Sequence, residues 1–191
     1  MNEPNEPFDL LLRGGTVVDG TRAARFAADV GIAGGRIAAI GDLAGRGARA
    51  TIDATGRIVA PGFIDSHTHD DQALLSQPDM SFKVSQGVTT VVAGNCGISI
   101  APLRADTPLP SPLDLLDASA KARFGSFAAY FAELRRTPAT VNVAALVGHS
   151  TLRVMTMAAL DRPAEPAEIA AMQALVAEAL DAGAIGLSTG T

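Results

Sequence analysis

The chain has 191 residues, 48% hydrophobic, 4% aromatic and 18% charged, with a formal net charge of −5. This composition supports a sizeable core, and with arginines scattered singly and no basic run it excludes a nucleic-acid footprint. No apolar run spans a bilayer, Met1 to Phe8 lacks a signal-peptide core, and the single cysteine, Cys96, excludes an intrachain disulfide. The expectation is a cytoplasmic protein with no membrane or nucleic-acid partner; no feature of the sequence assigns an oligomeric state.

Asp9 to Thr16 and Asp29 to Ile40 predict short strands, the second broken into a hairpin by the turn Ala33-Gly34-Gly35-Arg36. Two central glycines supply the positive φ angles that a two-residue hairpin needs. Thr51 to Ala60 predicts another strand, turning at Asp53-Ala54-Thr55-Gly56. Residues 1–60 are therefore expected to form a small all-β unit, too thin to cover both of its faces unaided and completed by the rest of the chain or by strands from elsewhere.

The texture changes at Pro61. Phe63-Ile64 leads into His67 and His69, and Pro78 to Gln86 predicts a helix closed by Gly87. Val88 to Ala93, a nearly continuous β-branched run, predicts a strand buried on both faces and ends at Gly94-Asn95-Cys96-Gly97. Ile98 to Pro112 is a long proline-rich connection, of the kind that forms the lid or wall of a site. Ser111-Pro112 should open a helix, and Ser126 to Arg136 predicts another from the stripe Phe127, Tyr130, Phe131 and Leu134. Thr140 to Val147 predicts a strand ending in Gly148-His149-Ser150. Pro166 to Asp181 is the clearest helix, stopped by Gly183, and Ala184 to Leu187 begins a strand ending in Ser188-Thr189.

Alternating short strands and helices imply a parallel sheet with right-handed crossovers, and in such sheets polar residues at strand C-termini mark the active face. Here those ends carry His67 and His69, Cys96, His149, and Ser188 with Thr189. A (β/α)8 barrel takes ~250 residues. Residues 61–191 are thus expected to be the first half of such an α/β barrel, and the chain a fragment.

His67 and His69, spaced i, i+2 after an apolar strand, share a face and suggest half of a metal site; the alternative is a strand-to-loop junction that happens to be polar. Cys96, between Gly94 and Gly97, is a metal ligand, a buried spectator or, less readily, a nucleophile, since no partner orients either histidine as a base. A mixed imidazole–thiolate set suits zinc, and a thiolate could bridge two ions. Asp65 falls on the face of His67 as a candidate partner behind the ligands, or as an ordinary satisfied carboxylate. His149 could touch substrate, support a ligand or be structural, and Asp70 and Asp71 are expected in a solvated loop.

Pro61-Gly-Phe-Ile-Asp-Ser-His-Thr-His69 resembles the signature of the amidohydrolase superfamily, and the hairpin around Gly34-Gly35-Arg36-Ile37 resembles its N-terminal β-subdomain, which implies a small β-sandwich subdomain ahead of a (β/α)8 metal-dependent hydrolase barrel. Gly94-Asn-Cys-Gly-Ile-Ser99, Gly148-His-Ser-Thr-Leu-Arg153 and Gly183-Ala-Ile-Gly-Leu-Ser-Thr-Gly190 are similar to the N-acyl-D-amino-acid deacylases within it. The resemblance implies zinc-dependent hydrolysis of a small-molecule N-acyl-D-amino acid. It implies one tightly bound Zn2+ on Cys96 and a weaker second position to which His67 and His69 contribute. It also places the remaining histidine ligands and a catalytic aspartate beyond residue 191, leaving no catalytic residue in the chain. Hydantoinases and dihydroorotases bridge their metals with a carboxylated lysine. Lys83 and Lys121 both fall in predicted helices, so a related hydrolase of cyclic amides is the alternative, with a non-catalytic member of the fold as a further one.

Overall fold

The computed structural model describes residues 7–116 and 123–190, and the chain separates into two compact units, Met1–Pro61 and Gly62–Thr191. In the first, β1 (Phe8–Val17), β2 (Phe26–Ala33), β3 (Arg36–Gly41), β4 (Ala48–Asp53) and β5 (Ile58–Val59) form one sheet in the order β3-β2-β1-β4, with β5 also on β1. The expected hairpin joins β2 to β3: Gly34 and Gly35 take φ of 58° and 71°, and Asp9 accepts the Gly34 amide at 2.7 Å. Phe8, Leu11 and Leu43 are buried together, whereas Ile37, Ile40, Ile52 and Ile58 stay exposed. That is the incomplete coverage expected of so thin a sheet.

The second unit is built on four parallel strands in the order β6-β7-β8-β9: β6 (Phe63–Asp65), β7 (Val88–Ala93), β8 (Asn142–Gly148) and β9 (Gly186–Ser188). Between them run α1 (Ala73–Ser76), α2 (Ser81–Val84), α3 (Phe127–Arg136), α4 (His149–Thr156) and α5 (Pro166–Ala182). Local chemistry sets the helix ends. Ser126 accepts the Ala129 amide to cap α3, and Glu165 with Glu168 forms a capping box on α5, which Gly183 closes at φ 113°. The core joins α3, α4 and β8 through Phe127, Tyr130, Val147 and Leu152, each nearly inaccessible. Burying a large apolar side chain contributes ~1.5–3 kcal/mol.

Several predicted elements change. The helix expected over Pro78 to Gln86 survives only as Ser81–Val84, because Met80 adopts a left-handed φ of 44° and the Pro78 carbonyl accepts the Thr140 amide instead of a helical one. At the helix expected from Ser111-Pro112, the described residues hold a 3₁₀ turn at Leu113–Leu116, and 117–122 lie outside them. The strand end Gly148-His149-Ser150 leads straight into a helix that the sequence did not signal, α4, entered directly at His149. Along β7, Val91 and Ala93 are buried on one face while Val88, Thr90 and Val92 on the other are only half-buried, so the described layers cover one face of that strand fully rather than both. The Ile98 to Pro112 connection is a packed wall: Ile98, Ile100, Ala101 and Leu103 all belong to the core.

Candidate metal centre

After β6 the chain is tied to its neighbour through Thr68, whose amide and hydroxyl both donate to the Val92 carbonyl at 3.1 Å. Thr68 is buried, and the residues on either side of it, His67 and His69, are exposed. Their rings lie edge to face with centroids 6.0 Å apart. One anchored residue therefore sets the placement of both imidazoles, and this is the alternation read from the sequence.

Cys96 sits in the tight loop after β7. Gly94, Cys96 and Gly97 all take left-handed φ, at 79°, 53° and 75°. A Cβ on Gly94 would lie 2.1 Å from the Leu146 carbonyl oxygen, so only glycine lets the loop pass so close to β8. For Cys96, which has a Cβ, the conformation costs ~1–3 kcal/mol and persists because its surroundings hold it. Asn95 donates its side-chain amide to the Thr68 and Val92 carbonyls, and the Gly97 carbonyl accepts the Ser150 and Thr151 amides at the start of α4.

These two segments bring His67, His69 and Cys96 together, with one donor atom from each within 4.8 Å of the others and His67 Nε2 3.1 Å from Cys96 Sγ. A tetrahedral zinc, with Zn–S ~2.3 Å and Zn–N ~2.0–2.1 Å, keeps its ligand atoms roughly 3.3–3.6 Å apart. The three donors are gathered closely enough to serve a metal centre. Beside them lies a cavity of about 680 Å3, lined on one side by His69 and Cys96 and elsewhere by Ile98, Leu115, Ser150 and Thr189. Residues 50–191 match the amidohydrolase family. The chain belongs to that family.

Among curated amidohydrolases, the D-aminoacylase of Alcaligenes xylosoxydans xylosoxydans is 58% identical over 186 residues, covering 97% of this chain and 38% of its own length. The chain thus spans less than half of the curated relatives it matches. A solved D-aminoacylase, studied for one-metal activation and second-metal attenuation of its binuclear centre, aligns with a TM-score of 0.92 at 59% identity over 96% of this chain and 39% of the other. The N-acyl-D-glutamate deacylase of Bordetella bronchiseptica, solved with zinc and a phosphonate mimic of the tetrahedral intermediate, aligns with a TM-score of 0.91 at 47% identity, over 97% and 39%. At this likeness the chain has the fold of part of an amidohydrolase (β/α)8 barrel, its parallel strands preceded in the chain by the five-stranded β-unit.

The two other residues singled out from the sequence lie apart from the donors. Asp65 accepts the His67 amide at 3.3 Å, and its second oxygen takes the Lys83 ammonium at 2.8 Å, so it holds the histidine segment through the backbone. His149 opens α4 and lines a separate, apolar cavity of about 570 Å3 with Leu152, Met172, Val176 and Leu187.

Sequence reasoning missed what supports the site in this amidohydrolase. Asp70 and Asp71 do not sit in a solvated loop. Asp70 pairs with Lys83 at 2.9 Å, so one ammonium joins the carboxylates that precede and follow the histidine pair. The hydrogen bond from Lys83 holds the Asp65 carboxyl below its ordinary value; burial opposes ionisation of Lys83, but the two carboxylates hold its ammonium above its own. Asp71 is 1% exposed and accepts the Gly94 amide at 3.0 Å, tying the histidine segment to the cysteine loop. Burial pushes its carboxyl up to about 6, against the pull of the Gly94 and Ile100 amides. The available signal was Asp70-Asp71 placed before Ala73-Leu74-Leu75: a polar pair leading into an apolar run marks a helix start rather than an open loop.

Proposed function

We propose that the full-length protein hydrolyses the amide bond of small-molecule N-acyl-D-amino acids, using zinc held by His67, His69 and Cys96. The observation that carries this reading is the meeting of two imidazoles and a thiol at neighbouring strand ends, beside a cavity of substrate size. The D-aminoacylase and the zinc-bound N-acyl-D-glutamate deacylase support it. In this proposal Cys96 anchors a tightly held ion and the histidines contribute to a weaker second position. Residues 1–60 serve as the β-subdomain and 61–191 as the first half of the barrel. A cytoplasmic location accompanies it, since the lone thiol must stay reduced to bind metal.

Bound zinc would supply Lewis acidity and a water of lowered pKa. The chain's own residues do the rest of what this half of the site can do. Thiolate and imidazoles set the position of the ion, while Ile98, Pro112 and Leu115 give the cavity an apolar wall. The Ser150 and Thr189 hydroxyls are the groups in the cavity wall able to hydrogen-bond the substrate. We assign the proton for the leaving amine to an aspartate outside residues 1–191. A carboxylated lysine of the hydantoinase kind is disfavoured, because Lys83 is held between Asp65 and Asp70.

The test is a set of parallel assays of the zinc-loaded, full-length protein on N-acetyl-D-amino acids, their L-enantiomers and a dihydropyrimidine. Release of the D-amino acid, with the L-form slower by 100-fold or more, is expected; turnover confined to the cyclic amide would overturn the proposal.

A further inference from the structure

The loop that carries Cys96 is closed by a residue from two strands away. The sheet order sets β8 between β7 and β9, so β9 does not pair with β7. Yet the Gly94–Gly97 loop passes over the end of β8, within van der Waals reach of the Leu146 backbone, and meets the end of β9 beyond it. There the Ser188 hydroxyl donates to the Gly94 carbonyl and accepts the Gly97 amide at 3.0 Å. One hydroxyl thereby joins the two backbone groups that flank Asn95 and Cys96. A hydroxyl can do this because it is donor and acceptor at once. The fit is close on the same side, since a Cβ on Gly190 would lie 2.3 Å from the Cys96 carbonyl oxygen.

We propose that Ser188 is a positioning residue for the metal-binding thiolate: it staples the turn and holds Cys96 in the left-handed conformation that presents Sγ to His67 and His69. The inference rests on the proposed metal role of Cys96. Glycine adopts left-handed φ freely at 94 and 97, but Cys96 does not and needs its conformation held, and the other side-chain ties reach the loop elsewhere: Asp71 takes the Gly94 amide, and Asn95 anchors itself to Thr68 and Val92. Ser188 alone among these side chains bonds the backbone on both sides of the thiol. Its place at a strand end beside the site was legible in the sequence, but its task is to hold the ligand loop rather than to bind substrate.

The experiment is cobalt(II) binding to the full-length protein, read by thiolate-to-metal charge-transfer absorbance and by competition with a chelator. Ser188→Ala should weaken binding about 10- to 100-fold, the usual effect of losing a residue that orients a ligand, and Ser188→Thr, which keeps the hydroxyl, should restore it to within a few-fold. Thr151→Val is the control, because the Thr151 hydroxyl bonds the buried Ser99 amide and carbonyl rather than the residues flanking Cys96; it should lower the thermal midpoint and leave cobalt affinity unchanged. If Ser188→Ala does not fold, the comparison of Ser188→Thr with Ser188→Val carries the test, since the two differ by a hydroxyl against a methyl. Unchanged cobalt affinity in Ser188→Ala, or equal losses in Ser188→Ala and Thr151→Val, would overturn the positioning role. Full cobalt binding by Cys96→Ala would instead overturn the metal reading beneath it.

Discussion

The two halves of the proposed metal centre are held by different physics. The Cys96 loop is fixed by uncharged, largely buried bonds: Asp71 apart, its partners are backbone groups, the Asn95 amide and the Ser188 hydroxyl, with glycines where backbones touch. The histidine segment hangs on one buried threonine and on the ion triplet of Asp65, Lys83 and Asp70, whose side chains are 31%, 18% and 16% exposed. A close-packed loop with its bonds satisfied has few alternative arrangements. A partly solvated ion triplet is screened by salt and yields more readily. The thiolate is thus the pre-organised donor and the imidazoles the adaptable pair, in keeping with one tight and one weaker metal position.

The largest effect expected is on the rigid half. Gly94→Ala forces a Cβ into the Leu146 carbonyl at a φ of 79°, and it should lower unfolding free energy by about 3 kcal/mol or more in urea titration. Gly20→Ala separates clash from backbone strain, because Gly20 has a similar φ of 80° with nothing within 4 Å; it should cost about 1 kcal/mol. Equal losses in the two variants would show that the close passage over β8 contributes nothing.

A smaller effect belongs to the adaptable half. Lys83→Met leaves two carboxylates facing each other at the end of β6 and should cost about 1–2 kcal/mol at low ionic strength. Raising the salt to about 1 M, where the Debye length falls to ~3 Å, should shrink the difference from wild type by at least half. A salt-independent loss would mean that the lysine acts by packing, and the contrast between the two halves would fail.

What could be read from the sequence was whatever is local in the chain. The Gly34-Gly35 hairpin, the β-branched run of β7 and the capped helix α5 carry their signals within a few residues, and all three form. His67, His69 and Cys96 were legible because parallel strands end on one side of a sheet, which brings residues 29 apart in sequence to 3.1 Å. The supporting set was not legible. Ser188 acts on Gly94 across 94 residues of chain, and Lys83 reaches Asp65 from a helix of four residues that has no periodicity to detect. The helix α4 was hidden because β8 enters it with no turn residue between them, Gly148 serving as both strand end and cap.

Everything proposed for the site requires that Cys96 and the two histidines make a single metal centre, and cobalt titration of the purified protein tests that most directly. Wild type should develop a thiolate charge-transfer band that saturates with bound metal; Cys96→Ala should lose the band with at least 100-fold of the affinity, and His67→Ala with His69→Ala should weaken binding while the band remains. Cobalt bound with no thiolate band in the wild type, or with the same affinity in Cys96→Ala, would contradict it.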